Sequence, residues 1–240
     1  MTFKLSEPIK SYRKRKTRIR IATLPKSGTH FLKTLLDNLG IRKSRITHVL
    51  DQLEVPTLRD DERAVTTIRD PRAFFVSLAH WCDIRCDQIL TDTVPFGEPI
   101  DMKYNQAEEW VAYTLDDKIQ FLVTNDKRAL YYTWRIRWFF ECTSRFIKLP
   151  NMFVLKFEDM MRSDADGPTE VQLKCLQGMF AHFRLYLSLD ELDQAVRASQ
   201  GKSKTFFRGK PDAWRDELSP QNEALIEENW GQFIDQWRYR

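Results

Sequence analysis

Cysteine is scarce in this chain, which has four cysteines among 240 residues. Cys82 and Cys86 are spaced one helical turn apart, but no histidine or second cysteine pair completes a zinc site. A CxxC pair is also absent, and Cys142 and Cys175 stand alone. We therefore expect reduced, mostly buried thiols in a cytoplasmic protein, with no metal bound by them.

Long apolar segments are missing as well. No apolar run approaches the length of a membrane span. The basic residues between Lys10 and Arg20 are followed by no apolar stretch of the kind that a secretory signal has. We expect residues 1–17 to form a basic, solvated arm, and a contact with nucleic acid or an acidic membrane is the alternative. The net charge of +4 suits a polyanionic ligand but decides little.

The Walker A sequence GxxxxGK[ST] does not occur, yet a different loop with anion-binding chemistry does. The run Ile21-Ala-Thr-Leu-Pro-Lys-Ser-Gly-Thr-His-Phe-Leu32 predicts a strand, a tight turn and a helix. Such a loop directs several backbone N–H groups and the positive end of the helix dipole at one point. Lys26, Ser27 and Thr29 add a charge and two hydroxyls, so we expect a phosphate or sulfate to bind there. An ordinary turn with a surface lysine is the alternative.

A second strand and helix follow with their own basic residue. Ala64–Ile68 reads as a buried strand, Arg69 comes at its carboxyl end, and Asp70 and Pro71 are typical of a helix start. Ser77 stands eight residues after Arg69, about two turns into the predicted helix. The alternative is that Arg69 pairs with a carboxylate such as Asp70 and that Ser77 faces solvent.

These two segments resemble the nucleotide site of sulfotransferases that use 3′-phosphoadenosine-5′-phosphosulfate (PAPS). In that family a PKSGT core holds the 5′-phosphosulfate, and a strand ending in R-[ND]-P-[KR] with a serine eight residues after the arginine holds the 3′-phosphate. The resemblance implies that PAPS is the co-substrate, that no metal is required, and that Lys26 stabilises the bridging oxygen of the leaving group. It also implies that the donor is held by a set of loop and strand residues: Lys26, Ser27, Gly28, Thr29, His30, Phe31, Arg69 and Ser77.

Three later segments resemble the family with decreasing force. Asn151–Met160 is similar to a strand followed by [YF]-E-D, in which Glu158 and Asp159 are expected to be structural. Phe206–Trp214 is similar to the closing loop RKGxxGDW, so Arg208 and the backbone of Gly209 are assigned to the 3′-phosphate, while Phe207 replaces the first basic residue. Ser199 stands where the family contacts the adenine.

The proton acceptor is the least determined role. His48 lies in Ile46–Leu50, 21 residues before Arg69, and resembles the T-H segment that carries the catalytic histidine in many family members. Glu54 is the nearest alternative, and an ordinary loop histidine at position 48 is another. His80 and Trp81 follow Ser77 where the family often lines its acceptor pocket, or they are packing residues.

The alternation of predicted strands and helices favours a parallel sheet covered by helices. Strands are predicted over 18–24, 64–68 and 152–157. Helices are predicted over 29–39, 71–86, 106–123, 126–147, 169–187, 188–199 and 219–237. The resemblance implies a three-layer α/β/α fold of the P-loop nucleotide-kinase type, as a single domain over 18–240. The aromatic residues of 131–140 are expected to be core, with a binding platform as the alternative.

The expected activity is transfer of a sulfuryl group to a hydroxyl or amine of a small-molecule, lipid or carbohydrate acceptor, and no nucleic acid is expected as a partner. A nucleotide-dependent kinase would need a Walker A lysine and a magnesium carboxylate, and neither is visible. A non-catalytic nucleotide-binding module would tolerate loss of Lys26 and His48, and both are present. The acceptor and the oligomeric state stay open.

Overall fold

A parallel β-sheet and the helices that follow its strands organise the chain. The computed structural model describes residues 19–41, 45–48, 62–95, 103–124, 136–164, 167–199 and 211–240. Two compact units are present: unit 1 is Met1–Arg69 with Cys142–Pro211, and unit 2 is Asp70–Glu141 with Asp212–Arg240. Neither the predicted single domain nor the basic arm over 1–17 is tested by this division, and the arm lies outside the described residues.

Unit 1 contains the sheet. Its strands are β1 (Ile19–Thr23), β2 (Arg45–His48), β3 (Arg63–Ile68) and β4 (Met152–Lys156). All three neighbouring pairs are parallel, in the order β2-β1-β3-β4. A separate antiparallel pair joins β5 (Ser163–Asp164) and β6 (Gly167–Pro168). The predicted α/β class with a parallel sheet is therefore confirmed.

The helices of unit 1 pack their apolar faces into one core. These are α1 (Thr29–Asn38), α6 (Phe157–Met160), α7 (Glu170–His182) and α8 (Leu189–Ser199). Leu32 and Leu35 of α1 are fully buried beside Ile21 and Val65 of the sheet and Leu192 of α8. Burying each such side chain contributes roughly 1.5–3 kcal/mol, so the core fixes where α1 starts above the sheet.

Unit 2 has helices but no strand among its described residues. They are α2 (Pro71–Leu90), α3 (Tyr104–Val111), α4 (Leu115–Thr124) and α9 (Pro220–Gln236), and a 3₁₀ turn covers Ala213–Asp216. The division between the units falls within α5 (Ile136–Phe146). Phe140 packs on Trp230, Phe233 and Trp237 with ring centroids 4.9–5.1 Å apart. The predicted core role is confirmed for the buried Phe139 and Phe140, whereas residues 131–135 lie outside the described residues.

The predicted element boundaries were partly wrong. Strand β2 was not predicted, because four residues of mixed polarity carry too little periodicity. The helix predicted over 106–123 is two helices, because Thr114 and Asp117 form a reciprocal cap that starts α4. The helix predicted to reach 187 ends at His182, and Arg184 follows in a left-handed conformation with φ 59°. The predicted helix start at Asp70 is confirmed, and Ser188 and Ser219 cap the starts of α8 and α9 in the same way.

No helix in the described part of the chain is both long and apolar enough to cross a membrane. The four cysteines form no disulfide. Burial raises the pKa of the Cys86 thiol and of the Cys175 thiol to about 12 in each case. Both thiols are therefore protonated and unreactive at neutral pH.

Arg72 ties the start of α2 to the C-terminal helix within unit 2. Its guanidinium lies 2.8 Å from Asp70 Oδ2 and 3.2 Å from Glu223 Oε1, and it donates to the carbonyl of Tyr239. The side chains of Arg72 and Asp70 are only 10% and 6% exposed. These carboxylates raise the pKa of Arg72 even though burial opposes its charge.

We predict that Arg72→Ala lowers the free energy of unfolding by about 3–5 kcal/mol, because it leaves the buried Asp70 carboxylate without its cation. Urea denaturation measures this loss. The double variant Asp70→Asn with Arg72→Ala should lose less than the sum of the single variants, since asparagine caps a helix without a charge. Arg215→Ala, which breaks an exposed pair with Asp212, serves as the control and should change stability by less than about 0.5 kcal/mol. An Arg72→Ala variant as stable as this control would contradict the assignment.

Candidate nucleotide site in the β1–α1 loop

The loop between β1 and α1 lies where the strand order reverses. The chain leaves β1 for β2 on one side and later adds β3 on the other side of β1. In open α/β sheets, ligands bind outside the carboxyl ends of the strands at such a switch point. The loop, predicted over Pro25–Thr29 and observed over Leu24–Gly28, stands at this place.

The backbone of the loop has two residues in the left-handed region. Lys26 has φ 62° and Gly28 has φ 91°. Gly28 is the N-cap of α1, no side chain caps that helix, and the first helical hydrogen bond runs from Leu32 N to Gly28 O. The N–H groups of Thr29, His30 and Phe31 precede this bond, so the helix itself does not use them. They are the donors that an anion at this helix start would accept from.

Gly28 fits this position for two reasons. Its φ of 91° is costly for a residue with a side chain. An added Cβ would also lie 2.2 Å from Cε of Met160, a buried residue of α6. The residue that follows the [YF]-E-D motif, Met160, thus packs against the loop at Gly28.

Ser27 requires a correction to the sequence prediction. We predicted that its hydroxyl faces the anion, but Ser27 is fully buried and its hydroxyl donates to the carbonyl of Leu24. Because a hydroxyl has one proton, the second hydrogen bond, with Thr67, is donated by Thr67 Oγ1. Ser27 therefore ties the loop to β3, and only its backbone N–H is left for a ligand.

Arg69 also reaches the loop from the end of β3. Its Nη1 donates to the carbonyl of Lys26 at 2.6 Å, and its Cζ lies 4.1 Å from the ring centroid of Phe157. The residue is about nine-tenths buried. Asp70, the carboxylate considered as its partner, forms its ion pair with Arg72. The guanidinium is thus held at the loop by a carbonyl and an aromatic ring.

Two lysines, Lys26 and Lys33, place positive charge close to His30 at the start of α1. The hydroxyls of Thr29 and Thr23 are hydrogen bonded at 2.7 Å. The pKa of His30 is lowered, first by partial desolvation and then by the charges of Lys26 and Lys33. The side chain of His30 therefore favours its neutral form at neutral pH. Phe31 has its side chain in the core, so only its N–H can face a ligand.

His48 is the last residue of β2 and pairs in register with Thr23. Its T-H segment predicts the catalytic base, and the alternative was an ordinary histidine in a loop. The structure places His48 at the end of a strand and not in a loop. Because β1 and β2 are parallel, His48 lies at the same edge of the sheet as the loop that follows Thr23. Glu54, Arg208 and Gly209 lie outside the described residues.

The other predicted site residues have structural contacts. In unit 2, Ser77 and Trp81 are half-buried on α2, and His80 Nε2 lies 2.6 Å from Glu217 Oε2. In unit 1, Ser199 is buried, donates to the carbonyl of Ala195 and accepts from Asn38 Nδ2 at 2.8 Å. These contacts account for His80 and Ser199 without a ligand, and their assigned roles stay predictions.

Sequence reasoning missed Thr67, Phe157 and Met160 as parts of the loop's support. A signal existed for Phe157 and Met160, because both lie in the segment Asn151–Met160 whose [YF]-E-D motif begins at Phe157. Thr67 gave none, since one threonine in a buried strand does not indicate its partner. Among the residues that the structure describes, no group of three His, Cys, Asp or Glu side chains could hold a metal ion.

The fold is similar to that of mouse sulfotransferase SULT7A1, whose crystal structure was determined in complex with PAP. The TM-score is 0.60, the sequences are 15% identical, and the match covers 94% of this chain and 90% of that chain. No protein-family model and no curated protein sequence matches the chain. The likeness establishes the P-loop-like α/β fold that the sequence predicted.

We predict that the left-handed backbone of Lys26 lowers stability. A left-handed residue with a side chain costs about 1–2 kcal/mol, against about 0.5–1 kcal/mol of extra chain entropy for glycine. Lys26→Gly should therefore be roughly 0.5–1 kcal/mol more stable than Lys26→Ala, as measured by urea denaturation. The same glycine and alanine pair at Lys33, in the middle of α1, should show the reverse order. A Lys26→Gly variant less stable than Lys26→Ala would show that the loop carries no such strain.

Proposed function

We propose that the protein is a sulfotransferase that transfers the sulfuryl group of PAPS to a hydroxyl or amine of a small-molecule, lipid or carbohydrate acceptor. One observation carries the proposal. The PKSGT loop stands at the switch point of a parallel sheet, with left-handed residues at Lys26 and Gly28 and an uncapped helix start. The fold likeness to a sulfotransferase supports it.

The 5′-phosphate would be held by backbone N–H groups at the start of α1. Those of Gly28, Thr29, His30 and Phe31 come from the loop and the first turn, and Ser27 contributes its N–H alone. The helix dipole and the charge of Lys26 add electrostatic attraction. The first turn of α1 contains no acidic residue that would oppose an anion.

The 3′-phosphate is assigned to Arg69 in unit 1. A guanidinium carries several N–H donors, so one group can serve the Lys26 carbonyl and a phosphate together. The resemblance adds Ser77, Arg208 and the backbone of Gly209 to this phosphate and Ser199 to the adenine. His80 and Trp81 are proposed to line the acceptor pocket.

The proposed reaction is an in-line displacement at sulfur. A bond forms between the acceptor oxygen or nitrogen and sulfur while the bond from sulfur to the bridging oxygen breaks. The electron pair passes to the bridging oxygen, where Lys26 stabilises the developing negative charge. The acceptor's proton passes to a base, for which His48 is proposed and Glu54 is the alternative.

Two other functions give different results in simple assays. A kinase of the same superfamily should bind ATP in preference to adenosine 3′,5′-bisphosphate, whereas the proposed enzyme should prefer the bisphosphate. Calorimetric titration of the full chain with both nucleotides distinguishes them, and preference for ATP would overturn the proposal. A non-catalytic module would bind the bisphosphate but fail to transfer label from ³⁵S-labelled PAPS in an acceptor screen.

We predict that Lys26→Ala lowers turnover by about 10²–10³-fold, the scale for removing one preorganised donor in a transition state. Affinity for adenosine 3′,5′-bisphosphate should fall less, because the backbone donors stay in place. Lys33→Ala, which removes an exposed lysine on the next turn of α1, serves as the matched control and should keep its turnover. Full activity of Lys26→Ala would refute the assigned role.

We predict that His48→Ala lowers turnover by roughly 10²–10⁴-fold with nucleotide binding nearly intact. The loss of turnover in His48→Ala should be smaller with acidic phenols as acceptors, because they are already ionised and have no proton to give up. Initial rates with acceptors of graded pKa measure this difference. Wild-type turnover in His48→Ala together with an inactive Glu54→Gln would move the role to Glu54.

A further inference from the structure

Two residues at the end of β3, Thr67 and Arg69, contact two consecutive residues of the β1–α1 loop. Thr67 donates to the hydroxyl of Ser27, and Arg69 donates to the carbonyl of Lys26 at 2.6 Å. Both contacts lie within unit 1. The second one joins the residue assigned to the 3′-phosphate directly to the backbone of the residue assigned to the leaving group.

The Lys26 contact matters because of the backbone conformation at that residue. Lys26 has φ 62°, a region that residues with side chains rarely adopt without support from their surroundings. The carbonyl that Arg69 binds belongs to the peptide following Lys26, so the bond fixes the orientation of that peptide. A charge-assisted hydrogen bond is about twice as strong as a neutral one. The direction in which the Lys26 side chain leaves the loop therefore depends on Arg69.

Arg69 itself also contacts an aromatic ring. Its Cζ lies 4.1 Å from the ring centroid of Phe157, within the range of a cation–π contact. Phe157 is about nine-tenths buried at the start of α6, and Met160 of the same helix packs under Gly28. A rigid aromatic ring thus limits where the guanidinium can move.

We infer that Arg69 is a positioning residue for Lys26, with Phe157 as its support, in addition to holding the 3′-phosphate. This inference rests on the proposed function. It couples the two ends of the donor: the group that recognises the 3′-phosphate also sets the geometry of the lysine at the 5′ end. An arginine that only anchored the 3′-phosphate would affect donor binding and leave the rate of the bound complex unchanged.

The test compares two donors, PAPS and adenosine 5′-phosphosulfate, which lacks the 3′-phosphate. Arg69→Ala should raise KM for PAPS, and it should also lower kcat by about 10–100-fold with both donors, because small misplacements of a catalytic group cost up to about 10²-fold. Unchanged kcat of Arg69→Ala with adenosine 5′-phosphosulfate would overturn the inference. If the wild type turns over that donor too slowly to measure, kcat at saturating PAPS decides in the same way.

Two further variants separate positioning from general damage. Phe157→Leu keeps the charge of Arg69 but removes the aromatic ring that the guanidinium contacts. The kcat should therefore fall several-fold, with a smaller change in KM for PAPS. A wild-type kcat in Phe157→Leu would remove Phe157 from the account. Arg63→Ala is the matched control and should keep its kcat, because Arg63 begins the strand that Arg69 follows and donates to Asn151 Oδ1 at 3.2 Å instead of to the loop.

Failure of the inference and failure of the proposed function give different results. A wild-type protein that neither binds adenosine 3′,5′-bisphosphate nor transfers label from PAPS would refute the function and the inference together. A wild-type enzyme that is active, with an Arg69→Ala variant that has lost only donor affinity, would refute the inference alone.

Discussion

The contact between the end of β3 and the β1–α1 loop is the interaction on which the proposed site depends. Thr67 fixes Ser27, Arg69 fixes Lys26, and α6 supports both from below through Phe157 and Met160. The sheet places these groups together because β1 and β3 are parallel neighbours whose carboxyl ends meet at one edge. The helix start that follows is then presented with its N–H groups oriented toward a common point.

The residues that this arrangement provides for the proposed activity lower the stability of the fold. A left-handed lysine and a buried arginine are both costly in a folded protein, and neither is needed to pack the core of unit 1. The core, built from α1, α7 and α8 on the sheet, supplies stability that offsets the cost of Lys26 and Arg69. Unit 2 has its own aromatic core around Trp230 and its own buried ion pair at Arg72.

The sequence predicted those features that depend on local chemistry. The loop, its helix and the Asp70–Pro71 start of α2 follow from caps, turn residues and short motifs, and the parallel sheet follows from their alternation. It did not predict contacts between residues distant in sequence. We expected the hydroxyl of Ser27 to bind the anion, because nothing in PKSGT indicates that it forms a hydrogen bond with Thr67, 40 residues later. Strand β2 was missed for the related reason that its pairing with β1, not its four residues, stabilises it.

The central claim is that the loop backbone is a preformed phosphate site. Backbone amide resonances of ¹⁵N-labelled protein, followed by NMR during titration with adenosine 3′,5′-bisphosphate, test it most directly. The account predicts that the largest shifts at saturation are those of Gly28, Thr29 and His30. Saturating binding that leaves these three amides unchanged and shifts residues elsewhere would contradict it.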